Sequence, residues 1–218
     1  MLILIVVATE SEIAPFASML EKFNPVTPYT IEILVTGVGV PASILSLAVL
    51  LSKRRFDLIL NVGVAGAIDE SFRIPSLLWI HQDEFYDWGV EDQNSFISVF
   101  ELGLVSKHDN PFHAGRLKSA VIPDFAKDAK ISSSNAITVM RVHGKHESIS
   151  ELKNRCPHAQ VESMEGAAVF YTAAHFEIPC IQLRAISNRV EPRNRAAWKL
   201  SEAIDLLNNQ LMQWFITP

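Results

Sequence analysis

The chain has 218 residues, a length that suits one α/β domain spanning 1–218. Hydrophobic residues make up 49% of it, enough to bury a substantial core. The formal net charge of −5 argues against a surface for nucleic acid or anionic membranes, which needs clustered Lys and Arg. Two cysteines are too few for a disulfide framework, and the N-terminus lacks the basic segment of a signal peptide. The sequence therefore predicts a cytoplasmic protein without nucleic-acid or membrane partners.

Strands and helices alternate along the first part of the chain. Short apolar runs predict strands at residues 2–8, 31–35, 58–62 and 77–81. A first helix is predicted to end near Lys22, where the prolines in 24–28 break it. A second is predicted over 42–51; the uncharged stretch around it contains two glycines and a proline, which argues against a membrane span. Two glycine-rich segments are predicted to be turns, at 37–39 and 63–66.

The second part repeats this alternation after a less regular stretch. Residues 83–96 give no clear assignment, and 107–134 have the composition of loops. Beyond them we predict a strand over 135–142, helices over 147–155 and 196–215, and a strand over 179–186. Strands alternating with helices indicate a three-layer α/β/α fold with a mixed, largely parallel central sheet.

Two polar side chains stand at the ends of the unit formed by residues 160–195. Glu165 opens a predicted helix, and Asn188 follows the strand 179–186 in a predicted polar turn. Ligands bind outside the carboxyl ends of strands in open α/β sheets, which makes Asn188 a candidate binding residue. Both have structural alternatives. Glu165 suits a helix first turn, and Asn188 with Glu191 suits a second capping box.

Glu12 also has two interpretations. Thr9 followed three residues later by Glu12 is a capping-box pattern, and on the sequence alone this role is favoured. The same carboxylate lies beyond the carboxyl end of the first predicted strand, where it is able to deprotonate a water molecule. Both roles are compatible if the side chain moves between them.

Other patterns point to different chemistry more weakly. Gly37-x-Gly39-x-x-Ala42 resembles a dinucleotide-binding turn, but it follows the second strand, and the acid some 20 residues on, Asp57, begins a strand. His143-x-x-His146 is the only close histidine pair and has no further ligand pattern, so neither a metal nor a cofactor is predicted. Beyond Asn188 lies a basic segment that suits a solvated surface or a substrate carboxylate: Arg189, Arg193 and Arg195.

Several motifs, in order, resemble one enzyme family. Residues 163–168 (SMEGAA) and 184–188 (RAISN) resemble the superfamily of purine nucleoside phosphorylases and methylthioadenosine/adenosylhomocysteine nucleosidases. Residues 10–12 and the glycine-rich segments at 37–39 and 63–66 occur in the order that is expected for this superfamily, so the resemblance covers nearly the whole chain. Within that superfamily, VESMEGAA with RAISNRVEPRNRAAW, and FYDWG at 85–89, look most like the futalosine hydrolase subgroup.

The resemblance implies a role for each matching residue. Glu12 is implied to activate water, Glu165 to bind the ribose 2′- and 3′-hydroxyls, and Asn188 to contact the purine. The remaining implied substrate-binding residues are Val64, Ala65 and Gly66 near the attacking water, Met164 beneath the sugar, and Val142 beside the base. The implied reaction is hydrolysis of the N-glycosidic bond of futalosine, which releases hypoxanthine, in menaquinone biosynthesis.

Two departures from the superfamily pattern bear on specificity. Nucleosidases that act on adenine nucleosides carry Asp where Asn188 stands, and an amide suits the oxygen of a 6-oxopurine better than a carboxylate does. Phosphorylases carry Arg and Ser at the positions that correspond to Asn61 and Val64, so phosphate loses charged contacts and water is the expected nucleophile.

Three competing functions remain at this point. They are a methylthioadenosine-type nucleosidase, a dinucleotide-dependent oxidoreductase and a non-catalytic nucleoside-binding protein. The family's usual dimers and three aromatic residues predicted to be exposed, Tyr86, Trp88 and Phe112, indicate a homo-oligomer.

Overall fold

A computed structural model describes residues 1–23, 28–93 and 95–216. The ten strands of these ranges are β1 Leu2–Val7, β2 Thr30–Val35, β3 Leu58–Ala67, β4 Ser76–Phe85, β5 Gly89–Asp92, β6 Ser95–Ser98, β7 Leu117–Lys118, β8 Ser132–Thr138, β9 Val161–Ser163 and β10 Cys180–Arg189. The helices are α1 Glu10–Phe23, α2 Val40–Leu51, α3 Asp124–Lys127, α4 His146–Arg155, α5 Gly166–His175 and α6 Leu200–Phe215. The predicted break at 24–27 lies outside the described residues.

The central sheet is mixed and largely parallel, and helices cover it, which confirms the predicted fold class. β1 pairs with β2 and β3 in parallel, β3 with β10 in parallel, and β8 with β4 and β9 in parallel. The antiparallel pairs are β10 with β4, β3 with β9, and β4 with β7. Because β3 contacts both β10 and β9, the strands β3, β10, β4, β8 and β9 close into a ring. The sequence pattern did not predict this closure.

Strand β1 shows why helices are needed on both faces. Leu4 and Val6 point into one hydrophobic cluster, which α2 and α5 complete, and Ile3, Ile5 and Val7 point into a second, which α1 and α6 complete. All five side chains are buried, and a period of two residues sends neighbours to opposite faces. The continuous apolar run of this strand is therefore a consequence of burial on both sides.

Two predicted turns near the sheet's carboxyl edge are wrong. Residues 63–66 continue strand β3 to Ala67, because Gly63 and Gly66 leave room for neighbouring side chains and do not turn the chain. Ser187 and Asn188 lie inside β10, where the pairing register with β3 shifts between Ile186 and Asn188. The predicted capping box at Asn188 is wrong for the same reason.

Other boundaries differ from the predictions by a few residues. The strand predicted over 135–142 runs from Ser132 to Thr138, and the final helix begins at Leu200 after a 3-10 turn, Arg195–Ala197. The unassigned stretch 83–96 contains the end of β4 and most of a β5–β6 hairpin.

The exposed surface differs from the prediction at the aromatic residues. Tyr86 and Phe112 are buried, and of the three aromatics predicted to be exposed, Trp88 is the one with substantial exposure, at 37%. Helix α2 instead exposes two apolar side chains, Leu45 at 67% and Val49 at 49%. Across the ranges described, no helix combines the length and apolar character that crossing a bilayer requires.

Candidate active site

One cavity of about 420 Å³ lies at the carboxyl edge of the sheet. Its volume falls within the usual range for small-molecule sites. The structure brings every sequence-predicted site residue to the lining of this cavity: Glu12, Val64, Ala65, Gly66, Val142, Met164, Glu165 and Asn188. The carboxylates come from the starts of α1 and α5, and the amide comes from β10.

The two carboxylate oxygens of Glu12 have different hydrogen-bond partners. Oε2 accepts hydrogen bonds from the Thr9 backbone N–H at 3.0 Å and from Thr9 Oγ1 at 2.8 Å, so the capping contact is formed. Oε1 accepts the backbone N–H of Val64 at 2.9 Å. The side chain is 7% exposed and borders the cavity. Capping therefore fixes the carboxylate in place and leaves lone-pair capacity on the cavity side.

Glu165 occupies the N-cap position of α5, and its Oε1 accepts the backbone N–H of Gly39 at 2.9 Å. Burial raises the pKa of Glu165 above its ordinary value, while the Arg184 guanidinium and the Gly39 hydrogen bond oppose that rise. Gly37 and Gly39 both have φ of +88°, a conformation that favours glycine, so the predicted turn at 37–39 exists. Through the Gly39 N–H this turn contacts Glu165.

Arg184 is a buried residue near the site to which the sequence analysis assigned no specific role. It lies in β10, is 1% exposed, and its Nε and Nη2 have no acceptor among the described residues. A side chain at Gly63 would overlap Arg184 Nη1 and lie 3.0 Å from Glu12 Oε1. One buried cation thus lies close to Glu12 and acts electrostatically on Glu165. A charged residue inside an apolar strand was the signal in the sequence.

The bulge in β10 positions Asn188. Ser187 Oγ donates to Asn188 Oδ1 at 2.8 Å, and Asn188 Nδ2 donates to the backbone carbonyl of Arg189 at 2.9 Å. Bulges often re-aim side chains beside active sites. Asn188 pairs with Gly66 of β3, and a side chain at Gly66 would lie 3.3 Å from Asn188 Nδ2. The absence of a side chain at Gly66 therefore gives room for the amide, which lines the cavity.

A histidine–carboxylate pair on the cavity wall was also missed by the sequence analysis. His143 Nδ1 is hydrogen-bonded to Glu162 Oε2, and the His143 backbone N–H reaches both carboxylate oxygens of Glu162 at 3.1 and 3.3 Å. The two side chains are 9% and 4% exposed, and both line the cavity. The His143-x-x-His146 pair does not act as a unit, because His146 begins α4 and is exposed.

A buried polar network lies behind Glu165. Asp83, with no exposed surface, accepts hydrogen bonds from Gln182 Nε2 and Thr138 Oγ1, each at 3.0 Å. Thr138 Oγ1 in turn accepts the Ala167 N–H at 2.7 Å, and Asn61 donates to Gln182 at 2.8 Å. Burial raises the pKa of Asp83 to about 6, although these hydrogen bonds and Arg184 oppose the rise. The network ties the start of α5 to the sheet.

The raised pKa of Asp83 predicts a pH-dependent stability. Since the folded state disfavours the charged form, Asp83 contributes most stability below its unfolded pKa near 3.8 and loses that contribution as the pH rises to about 6. Two units correspond to about 3 kcal/mol. We expect the free energy of unfolding of wild type to fall relative to Asp83→Asn between pH 4 and 7, measured with urea. Parallel profiles for the two proteins would contradict the expected shift.

Among the described residues, one cluster has metal-ligand composition, and it does not line the cavity. Atoms of Glu84, Cys156 and His158 lie within 4.8 Å of one another. Glu84 already accepts hydrogen bonds from His158 at 2.9 Å and from Arg116 at 3.1 Å. Burial raises the pKa of the Cys156 thiol to about 12. The cationic Arg116 and the protonated thiol both disfavour a cation here.

Comparisons with known proteins agree with the geometry. The sequence model of the phosphorylase superfamily matches residues 2–212. The chain belongs to the phosphorylase superfamily. The futalosine hydrolase of Streptomyces coelicolor is 30% identical over 183 residues, which cover 82% of this chain and 75% of that protein. A 5′-methylthioadenosine/S-adenosylhomocysteine nucleosidase of Staphylococcus aureus is 24% identical over 193 residues, covering 83% and 82% respectively.

Solved structures within the superfamily share the fold. The nucleosidase of Neisseria meningitidis, crystallised in complex with methylthio-immucillin-A, matches with a TM-score of 0.79 at 17% identity and covers 97% of both chains. The predicted resemblance and fold class are confirmed, and so, as a reaction class, is the prediction of an N-glycosyl hydrolase.

The dinucleotide alternative has no support at the residues that suggested it. The Gly39 N–H is donated to Glu165, and the Asp57 carboxylate accepts the Leu2 N–H at 2.6 Å, at the start of β3. These contacts occupy the groups that a pyrophosphate and a ribose would need.

Proposed function

We propose that this phosphorylase-superfamily enzyme hydrolyses the N-glycosidic bond of futalosine, releasing hypoxanthine, within menaquinone biosynthesis. The observation that carries the proposal is a neutral amide, Asn188, held by Ser187 and the Arg189 carbonyl, in one cavity with two buried carboxylates. An amide is able to donate to the oxygen of a 6-oxopurine, whereas a carboxylate would repel it. The similarity to a futalosine hydrolase at 30% identity supports the same substrate.

The proposed division of labour follows the positions of the polar groups. Glu12 orients water and takes its proton as general base. Glu165 accepts hydrogen bonds from the ribose 2′- and 3′-hydroxyls and stabilises the positive charge that develops on the sugar. Met164 packs beneath the sugar, and Asn188 binds the departing base. The Arg184 guanidinium, by opposing the rise in the pKa of Glu165, favours the ionised form that this role requires.

Water is favoured over phosphate as the nucleophile. The Val64 N–H is donated to Glu12, and the Asn61 side chain is buried against Gln182, so neither offers a phosphate the cation or hydroxyl it needs. An anion in the cavity would also be repelled by the carboxylates of Glu12 and Glu165, which both line it.

The most direct experiment is incubation with futalosine in phosphate-free buffer, with chromatographic detection of free hypoxanthine. Hypoxanthine release without added phosphate is the expected result. Release only with phosphate, binding without turnover, or faster release of adenine from methylthioadenosine would each overturn the proposal.

Asn188→Asp is expected to shift preference from 6-oxopurine towards 6-aminopurine nucleosides. A carboxylate at 188 still accepts from Ser187 Oγ but presents only lone pairs to a purine oxygen, at a cost of about 1–3 kcal/mol. That range predicts a change of about 5- to 150-fold in the ratio of kcat/KM for inosine and adenosine. Asn194→Asp, the same substitution at an exposed position, serves as the matched control. An unchanged ratio in Asn188→Asp would remove Asn188 from base recognition.

The futalosine side chain ends in an aromatic carboxylate, and we propose that Arg189 or Arg193 meets it. Both line the cavity, and Arg189 Nη1 is buried with no hydrogen-bond partner in the part of the chain that the structure describes. Arg195 is exposed in the 3-10 turn. Replacing Arg189 and Arg193 with Glu should raise KM for futalosine but leave KM for inosine, which lacks the carboxylate, much less affected. An equal change for both nucleosides would contradict this role.

A homo-oligomer also remains a proposal. The exposed Leu45 and Val49 on α2 form an apolar surface of the kind that subunits bury. Light scattering that gives the mass of a monomer would contradict it.

A further inference from the structure

The cavity wall opposite Asn188 is formed by a second polar group on a neighbouring strand. Gly66 of β3 pairs with Asn188 of β10 on one side and with Glu162 of β9 on the other. Laterally paired residues point to the same face of a sheet, so the side chains of Asn188 and Glu162 flank the space above Gly66. The side chains of Asn188, Glu162 and His143 all line the cavity beside Gly66. A flat base in this cavity therefore has the amide at one edge and the Glu162–His143 pair at another.

The proposed reaction lacks a proton donor for the departing base. When the C1′–N9 bond breaks, its electron pair stays on the purine, which leaves as an anion unless a ring nitrogen is protonated. Asn188 is a neutral amide and has no acidic proton to give. Glu12 is already assigned to taking a proton from water.

The contacts of His143 suit an acid that is held in one orientation. Nδ1 is occupied by Glu162, whose carboxylate also accepts the His143 backbone N–H. The Tyr86 ring packs against the imidazole with 5.0 Å between centroids and an interplanar angle of 81°. A carboxylate at Nδ1 fixes the ring and compensates the positive charge of the protonated imidazole, which leaves Nε2 as the nitrogen free to act.

From this juxtaposition we infer that His143, held by Glu162, is the general acid that protonates the departing purine; the inference rests on the proposed nucleosidase function. As the C1′–N9 bond breaks, its electron pair moves onto the base, and His143 Nε2 gives its proton to a purine ring nitrogen. Water adds to C1′ and loses a proton to Glu12. Exchange with solvent then returns the proton from Glu12 and restores that of His143, so the overall reaction consumes one water molecule.

The test compares nucleosides that need a leaving-group proton with ones that do not. Futalosine and inosine need it, whereas the cationic base of 7-methylinosine departs neutral, and p-nitrophenyl riboside releases a stable anion. We expect His143→Gln to lower kcat for futalosine by about 10²-fold or more and to change kcat for the activated substrates by less than about 5-fold. His146→Gln, at an exposed position in the same segment, should change neither.

A second variant tests the inference if the first misfolds. Glu162→Gln keeps a hydrogen-bond partner for His143 Nδ1 but removes the charge. It should show the same selective loss of kcat for futalosine, but a smaller one. Thermal melting shows whether the two variants are folded. If folded His143→Gln and Glu162→Gln lose the same activity on all substrates, the inference is overturned. Full activity of His143→Gln on futalosine would also overturn it. If wild type releases no hypoxanthine, the proposed function itself fails; if wild type is active and His143→Gln shows no selective loss, only the acid role of His143 fails.

Discussion

Glu12→Gln is expected to lower kcat for hypoxanthine release by about 10²-fold or more, with a much smaller change in KM. The amide oxygen is still able to accept the Val64 N–H, so the side chain keeps its place, but it cannot take a proton from water. Its cap on Thr9 weakens by about 1 kcal/mol, which affects stability and not the chemical step. Steady-state kinetics with futalosine measure both constants.

Glu10→Gln is the matched control, because Glu10 lies on the same first turn of α1 and is exposed. The control should keep wild-type kcat. Glu12→Gln should also lose activity on the activated substrates p-nitrophenyl riboside and 7-methylinosine. Such a loss agrees with a role in water activation, since every substrate needs the nucleophile. Near-wild-type turnover by Glu12→Gln would remove it from the mechanism.

The residues that the sequence predicted for the site line one cavity, and two of them were found because they stand at the ends of regular elements. Glu12 was placed by a capping box, and Glu165 by the start of a helix. Two residues 153 positions apart in the sequence (165 − 12) share a cavity because β1 lies beside β3, and β9 pairs antiparallel with the carboxyl end of β3 at Gly66 and Ala67. For Glu12 the capping interpretation is confirmed by the contacts of Oε2, and the proposed role as general base is compatible with it because Oε1 has a different partner and the side chain borders the cavity.

The errors have a common physical origin. Gly63, Gly66, Ser187 and Asn188 are residues that favour turns, and local propensity predicted turns at both places. In the fold, β3 and β10 continue past these points because each pairs with the other along its length. The glycines provide space for Arg184 and Asn188, and the polar pair adopts a bulge. Close approach between strands distant in sequence is not encoded in either segment alone.

The same limit explains what the sequence analysis missed. His143 and Glu162 are separated by a helix, and nothing in their spacing indicates a pair; it forms because β8 and β9 are neighbours in the closed ring. Arg184 and Asp83 lie inside or beside predicted strands. A charged residue there indicates an unusual environment, but the sequence does not identify its partner. The pairing of β4 with β8 and β10 brings Thr138 and Gln182 to Asp83, and no local pattern predicted this order of strands.

Gly166→Ala is expected to be among the most destabilising single substitutions in the chain. Gly166 is the first residue of α5, and a methyl group there would overlap Asp83 Oδ2 and lie 2.7 Å from both polar atoms of the Gln182 side chain. The neighbours cannot yield easily, because Asp83 and Gln182 have no exposed surface and are tied by hydrogen bonds to each other, Thr138 and Asn61. Either the buried carboxylate loses partners or the helix start moves.

Overpacking of this kind costs about 3 kcal/mol, and for a chain of this size that lowers Tm by about 6–12 °C. Movement of the helix start also displaces the adjacent Glu165, so kcat for hypoxanthine release should fall even at temperatures where the variant is folded. Gly144→Ala is the control: the added methyl would lie 3.7 Å from the Cβ of Arg193, an ordinary contact, and neither Gly144 nor Gly166 has a positive φ. Calorimetry should give Gly144→Ala a Tm near that of wild type. Equal Tm values for the two variants would show that the Asp83 network does not require glycine at 166.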